Sequence, residues 1–106
     1  MTQLKDEKVL VIGGGFGGIA AALRSRSLGF DVTLIDLDNL GGRAQTLEID
    51  GFKHDTGPTV ITAPFLFGEL FELFEEDIND HLTFIPLSPW YRYVFHNGQT
   101  FDYSGD

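Results

Sequence analysis

The chain has 106 residues and a formal net charge of −9, from 16 acidic and 7 basic residues. A hydrophobic fraction of 42%, with ten phenylalanines, is typical of a folded protein. The negative charge repels phosphate backbones, so nucleic acid is excluded as an expected partner. The absence of cysteine excludes disulfides, thiolate catalysis and Cys-zinc sites, and it is compatible with a cytoplasmic location.

Neither a metal site nor a targeting segment is predicted. The three histidines, His54, His81 and His96, lack the spacing of metal ligands. The uncharged stretch after Lys8 contains five glycines between positions 13 and 18. Glycine at that density disfavours the apolar helix of a signal peptide or of a membrane span.

The first third of the chain has the pattern of a βαβ unit. Residues 8–12 (KVLVI) form a short apolar run that predicts a buried strand. Residues 16–28 have the small and apolar residues of a helix, with Gly29 as its C-terminal stop. Residues 31–36 (DVTLID) predict a second strand, parallel to the first. The predicted fold class is therefore α/β, with a Rossmann-like unit at the start.

Two strands and an amphipathic helix are predicted next. The strands cover residues 44–49 and 52–55, joined by the turn signal Asp50-Gly51. The helix covers residues 64–77, where phenylalanines and a leucine recur at helical spacing opposite glutamates. Thr62 is its predicted N-cap.

The last part of the chain predicts β structure. Residues 82–87 are a strand candidate weakened by Pro86. Residues 90–96 and 99–103 flank Asn97-Gly98, a strong hairpin signal. A helix followed by a hairpin is the expected start of a separate α+β domain.

Three glycines between the first strand and the helix have the spacing of a dinucleotide-binding turn. Gly13 allows the tight turn, Gly15 the close approach of backbone to a diphosphate, and Gly18 the close packing of helix on strand. The amides of Phe16 and Gly17 would then point at the phosphates, at the positive end of the helix dipole.

An acidic residue at the end of the second strand favours a ribose without a 2′-phosphate. Asp36, 18 residues after Gly18, can accept hydrogen bonds from ribose hydroxyls and repels a 2′-phosphate. Leu37 stands where an NADP site often has a basic residue, so NADP is disfavoured. Spacing does not distinguish FAD from NAD, because both use the same unit.

Three further segments resemble a known family. Gly41-Gly42-Arg43 is similar to the second glycine motif of the flavin amine-oxidase superfamily. Residues 51–62 (GFKHDTGPTVIT) resemble a segment of bacterial-type phytoene and carotenoid desaturases, and residues 89–103 resemble the hairpin that follows it there. The resemblance runs essentially from Val9 to Tyr103.

The resemblance implies an FAD-dependent oxidoreductase that desaturates a lipophilic carotenoid precursor such as phytoene. It assigns the diphosphate to the first glycine motif and Arg43, the adenosine ribose to Asp36, and the flavin and ribityl region to residues 57–59. It implies no catalytic residue here, since the cofactor carries the chemistry. The predicted cofactor-binding residues are Gly13, Gly15, Phe16, Gly17, Gly18, Asp36, Gly41, Gly42, Arg43, Gly57, Pro58 and Thr59.

The resemblance also implies a domain division. Residues 1–62 would be the FAD-binding segment, and residues 63–106 the start of the substrate-binding domain. Members of the family are several times longer, so the chain is expected to be the N-terminal portion of a longer enzyme. For that enzyme, peripheral association with the inner face of the cell membrane is compatible with a lipophilic substrate.

Two other functions stay open on the sequence. One is another oxidase of the same flavin superfamily, acting on amines or on other carotenoid intermediates. The other is a lipid-binding escort protein with this fold and no flavin. The intact glycine motif, Asp36 and Gly41-Gly42-Arg43 argue against the escort protein, because a protein without FAD does not need them.

Overall fold

The computed structural model describes residues 6–105. It contains six strands, two α-helices and a short 3-10 helix within that range. Strand β1 (Lys8–Ile12) leads into helix α1 (Phe16–Ser27), which leads into strand β2 (Asp31–Ile35). The two strands pair in parallel, from Lys8 opposite Asp31 to Ile12 opposite Ile35. The predicted βαβ unit is confirmed, with its helix and second strand each ending one residue early.

Helix α1 covers only one face of this two-stranded sheet. Val9 and Val11 alternate with more exposed neighbours along β1, as expected for a strand with one covered face. On the other face Leu10, Ile12 and Ile35 are 59%, 78% and 46% exposed. A parallel sheet is normally covered on both faces, whereas only one face of this sheet is covered within residues 6–105.

No hydrophobic side chain among the described residues is fully buried. The radius of gyration is 18.2 Å, whereas a compact domain of about 100 residues has about 13 Å. Residues 6–105 therefore form local units without a closed hydrophobic core.

A short hairpin follows the βαβ unit. Strand β3 (Thr46–Ile49) pairs antiparallel with strand β4 (Phe52–Asp55), from Thr46 opposite Asp55 to Ile49 opposite Phe52. Its turn residues Asp50 and Gly51 both have positive φ, 52° and 81°, as the tightest hairpin turns require. The predicted hairpin is confirmed, although β3 begins at Thr46 rather than at residue 44.

Helix α2 (Phe65–Glu72) is shorter than the predicted helix over residues 64–77. The N-cap is Pro64, not Thr62, and no side chain caps the first turn. The chain leaves the helix in the turn after Leu73, where Glu75 adopts a positive φ of 60° that an α-helix cannot contain. A 3-10 helix (Ile78–Asp80) follows, begun by the Asp77 side chain, which accepts a hydrogen bond from the Asn79 amide.

The strand predicted over residues 82–87 is wrong, since this segment is irregular. Pro86 has no N–H to donate, and no strand pairs with the segment within the described range.

The final hairpin is confirmed. Strand β5 (Tyr91–Val94) pairs antiparallel with strand β6 (Thr100–Tyr103). β5 begins one residue later and ends two residues earlier than predicted, and β6 begins one residue later.

Candidate functional site

The loop between β1 and α1 is held against the sheet and the helix by backbone contacts. Gly13 has a φ of 103°, and its N–H donates to the carbonyl of Ile35 at 2.8 Å. A Cβ atom on Gly18 would overlap the carbonyl oxygen of Gly13 and lie 3.7 Å from Val11. Gly18 therefore allows the first turn of α1 to pack directly on the loop.

A second glycine loop packs on the first. The Gly41 N–H donates to the carbonyl of Gly14 at 2.7 Å. Gly42 has a φ of 58°, and a Cβ atom there would stand 2.9 Å from the Cα atom of Gly15. Glycine adopts a positive φ without strain and has no Cβ atom, so Gly42 allows the two loops to approach at backbone distance.

A third segment completes the site. The Thr56 N–H and hydroxyl both donate to the carbonyl of Gln45, at 2.9 Å and 3.0 Å. A Cβ atom on Gly57 would overlap the carbonyl oxygen of Arg43. Residues 56–58 are thus packed directly against the second loop.

The three segments enclose a cleft of about 630 Å³. Residues 15–17 line it from the first loop and helix, residues 41, 43 and 44 from the second loop, and residues 56–58 from the third segment. The predicted site residues that line the cleft are Gly15, Phe16, Gly17, Gly41, Arg43, Gly57 and Pro58.

Other predicted site residues do not line the cleft. Gly13, Gly18 and Gly42 are outside the lining; Gly13 forms the turn, and Gly18 and Gly42 allow the close packing of the loops. Asp36 contacts the loop from the end of β2, and Thr59 is outside the lining. Ala44 and Thr56 line the cleft and were missed by the sequence prediction, although each is next to a predicted residue.

The carboxylate of Asp36 is hydrogen-bonded to two backbone N–H groups of the chain. Its Oδ2 atom accepts a hydrogen bond from the Gly14 N–H, and its Oδ1 atom accepts one from the Asp38 N–H at 2.9 Å. The hydrogen bond from Gly14, followed by that from Asp38, lowers the pKa of Asp36 below its ordinary value. The carboxylate is therefore ionised at neutral pH.

Gly14 is a third residue that the sequence prediction missed. It is buried between Asp36 and Leu40, and a Cβ atom would stand 3.1 Å from Asp36 Oδ2 and overlap the Leu40 side chain. A signal for it exists in the sequence, since it is the middle glycine of the run 13–15.

The electrostatics of the cleft suit an anion. Helix α1 begins at Phe16 with Gly15 as N-cap, so its first free N–H groups and the positive end of its dipole are at the cleft. The first turn of α1 contains no acidic residue, whereas Arg24 and Arg26 are in the last turn. Arg43 adds a cation to the wall, and no acidic side chain pairs with it among residues 6–105.

A diphosphate fits this chemistry. A Cβ atom on Gly17 would meet nothing within 4 Å, and one on Gly15 would meet only Gly42 at 3.9 Å, so open space faces the backbone. Bare backbone N–H groups, a helix N-terminus and one arginine are the donors that phosphate oxygens take in proteins. In the described part of the chain, no three His, Cys, Asp or Glu residues are grouped as metal ligands.

Residues 11–76 match the family model of the NAD(P)-binding Rossmann-like domain. The chain belongs to this family. The match spans both glycine loops and the third segment of the cleft, and it confirms the predicted Rossmann-like class.

Curated relatives of this Rossmann-like chain are named for carotenoid chemistry. A 4,4′-diaponeurosporene oxygenase of Staphylococcus haemolyticus is 40% identical over 93% of the chain. A lycopene-forming phytoene desaturase of Pantoea ananas is 42% identical over 91%, and a carotenoid 3,4-desaturase of Haloarcula japonica is 40% identical over all of it. The predicted resemblance to carotenoid desaturases is confirmed.

The chain spans only about a fifth of the length of these relatives, 20%, 20% and 22% respectively. Within residues 6–105, neither helix has the length and apolar character needed to cross a bilayer.

Proposed function

We propose that this chain forms the part of an FAD-dependent carotenoid desaturase that holds the diphosphate of the cofactor. The observation that carries the proposal is the meeting of three glycine segments at one cleft, beside the N-terminus of α1 and Arg43. The similarity to the phytoene desaturase of Pantoea ananas supports the choice of reaction.

Each part of the cleft has a separate task in this proposal. The amides of Gly15, Phe16 and Gly17 bind the diphosphate oxygens, and Arg43 neutralises their charge. Gly41 keeps the wall free of a side chain. Gly13 forms the turn of the first loop, and Gly18 and Gly42 allow the close packing of the loops around the diphosphate.

Asp36 binds the ribose of the adenosine half. Its two oxygens each accept one backbone N–H, and a carboxylate has about four acceptor positions. It therefore retains capacity for the ribose hydroxyls while holding the first loop. A 2′-phosphate would be repelled by this ionised group, which disfavours NADP.

The third segment approaches the flavin half. Gly57 and Pro58 line the cleft and Thr59 follows them in sequence, and these residues would hold the ribityl chain and the ring of FAD. Bound FAD supplies the redox chemistry, since its ring accepts hydride equivalents from the carbon–carbon bond that becomes unsaturated. The resemblance to flavin-dependent desaturases favours FAD over NAD.

The rest of the enzyme is proposed on the same basis. Residues 1–62 belong to the FAD-binding domain, and residues 63–106 begin the substrate-binding domain for a lipophilic carotenoid precursor. The exposed apolar face of β1 and β2 is then covered by later parts of the enzyme. We expect a cytoplasmic enzyme that associates with the inner face of the membrane to reach its substrate.

The test uses the complete protein that contains this chain. It is purified, its flavin content is measured by absorbance, and it is incubated with FAD and phytoene. We expect bound FAD and a product with a longer conjugated system, which absorbs in the visible. A protein that stays colourless after FAD reconstitution and forms no such product contradicts the proposal and favours the escort protein.

A second function is favoured by one observation. The relative from Staphylococcus haemolyticus, 40% identical, is named an oxygenase of a carotenoid. A carotenoid oxygenase would use the same cleft for FAD. Mass spectrometry of the products distinguishes the two, because a desaturase removes hydrogen and an oxygenase adds oxygen.

A further inference from the structure

Phe16 takes part in two different contacts. As the first residue of α1 it lines the cleft. Its ring also contacts Phe67 of α2 edge to face, with ring centres 5.3 Å apart and planes at 88°. The same residue thus joins the wall of the cleft to a helix that does not line it.

The contact continues beyond α2. The ring of Phe67 lies 6.2 Å from that of Phe84, in the irregular segment that follows the 3-10 helix. The rings of Phe16, Phe67 and Phe84 are named here the aromatic chain. It reaches from the cleft to a part of the chain 68 residues away in sequence.

Within residues 6–105, one polar contact supports the docking of α2 on α1. Arg24 Nη2 lies 3.0 Å from Glu69 Oε2, and both side chains are about half exposed. No residue of α2 is fully buried. An exposed ion pair contributes little stability, so we expect the Phe16–Phe67 ring contact to contribute more to the docking of α2 on α1.

We propose that the aromatic chain couples binding in the cleft to the docking of α2, with Phe67 as the positioning residue. The inference rests on the proposed function of the cleft. When α2 is docked, the Phe67 ring fixes the Phe16 ring and with it the first amide of α1, which has no partner within the helix. The diphosphate binds best to amides held in this way.

Linkage makes the coupling reciprocal. If docked α2 favours FAD binding, FAD binding favours docked α2 by the same factor. The region from α2 to Phe84 is therefore held more firmly in the complex with FAD than without it. In this way bound cofactor would favour the docked position of the segment that follows the cleft.

The first test is the affinity for FAD of the complete protein with Phe67→Leu, measured by flavin fluorescence. An edge-to-face pair of rings contributes enough to predict a loss of about two- to tenfold. Phe67→Tyr keeps the ring and should retain the affinity. Phe65→Leu is the matched control, because Phe65 is on the same helix, is 66% exposed and makes no ring contact within the described residues.

A double variant separates coupling from loss of folding. In the Phe16→Leu background the ring pair is already broken, so adding Phe67→Leu should cause no further loss of affinity. A loss that is the same in both backgrounds contradicts the coupling.

Hydrogen exchange gives a readout without activity. FAD should slow the exchange of the amides of residues 65–72 in the wild type but not in Phe67→Leu. The coupling is contradicted if Phe67→Leu and wild type bind FAD equally, or if FAD does not change the exchange in the wild type. Either result leaves the proposed function of the cleft intact. A wild type that binds no FAD overturns the coupling and the proposed function together.

Discussion

The two halves of the chain are held by different forces. The cleft, from β1 to Pro58, is built by backbone contacts between glycine loops, such as the Gly41 N–H bonded to the Gly14 carbonyl at 2.7 Å. The part from α2 to β6 is held by contacts of partly exposed aromatic rings and by surface ion pairs. A cleft can therefore be built by short glycine motifs alone, whereas the second part depends on contacts between side chains at the surface.

The largest effect is expected from Gly18→Ala, which tests the backbone contacts. The new Cβ atom overlaps the Gly13 carbonyl oxygen, so the loop must move. Overpacking of this kind costs about 1–3 kcal/mol of stability. If the displaced loop loses about 2 kcal/mol of FAD binding, the affinity should fall about 30-fold. The measurement is a titration with FAD of the complete protein.

Gly68→Ala in α2 is the control for that substitution. A Cβ atom there meets only Ile78, at 3.9 Å, and alanine is the better helix former. We expect unchanged FAD affinity and equal or slightly higher stability. An equal loss of affinity in both variants would remove the distinction between the two halves.

The next effect is expected from Arg43→Ala, which removes the cation from the cleft. A hydrogen bond to a charged group predicts a loss of FAD affinity of about tenfold. Since the interaction is ionic, the difference from wild type should shrink as salt is added. Arg26→Ala removes an exposed arginine at the far end of α1, where it donates to the Phe30 carbonyl, and should leave the affinity unchanged.

A smaller effect is expected from Asp36→Asn, which tests whether a side chain holds the first loop. Each of the two carboxylate oxygens accepts one backbone N–H group. In asparagine only the amide oxygen can accept, because the NH₂ group is a donor. The folded-state pKa is lowered, so the stabilisation is present above the ordinary value of 3.8 and is lost as pH falls through the lowered folded value.

The melting temperature measured as a function of pH tests whether this stabilisation is lost at low pH. Asp36→Asn should be less stable than wild type at pH 7, and the two should converge below pH 3.8. Asp38→Asn is the control, because Asp38 contributes its backbone N–H and not its carboxylate. A difference from wild type that grows as the pH is lowered would contradict the role of Asp36.

The smallest effect is expected from Arg92→Lys in the final hairpin. Arg92 binds Asp102 across β5 and β6 with two hydrogen bonds of 2.7 Å, on the face opposite the paired aromatic rings. Lysine cannot make the paired contact, but both groups are exposed, so only a small decrease in melting temperature is expected. FAD affinity should not change, and a measurable loss of it would place the hairpin in the site.

The cleft half was predictable from sequence because its determinants are local. The strands and helix of the βαβ unit, the turn at Gly13 and the close packing at Gly18 follow from short motifs with known mechanics. Gly14 was missed because its role depends on Leu40 and Asp36, which approach it only after folding.

The other half was predicted less well because its determinants are not local. Thr62 was wrong as a cap because the helix begins after Pro64, and the predicted extension to residue 77 ignores the turn at Glu75. The strand over residues 82–87 needed a partner strand, which periodicity cannot supply. Turns and glycine motifs can be recognised from short segments, whereas the packing of side chains that are distant in sequence cannot.

Competition against FAD by ADP and by riboflavin, in wild type and in Arg43→Ala, tests most directly whether this cleft holds the diphosphate of FAD. We expect ADP to displace FAD, and riboflavin, which has no phosphate, not to displace it. We also expect Arg43→Ala to weaken the binding of ADP and FAD by the same factor. Displacement by riboflavin but not by ADP, or ADP binding that is indifferent to Arg43, would contradict it.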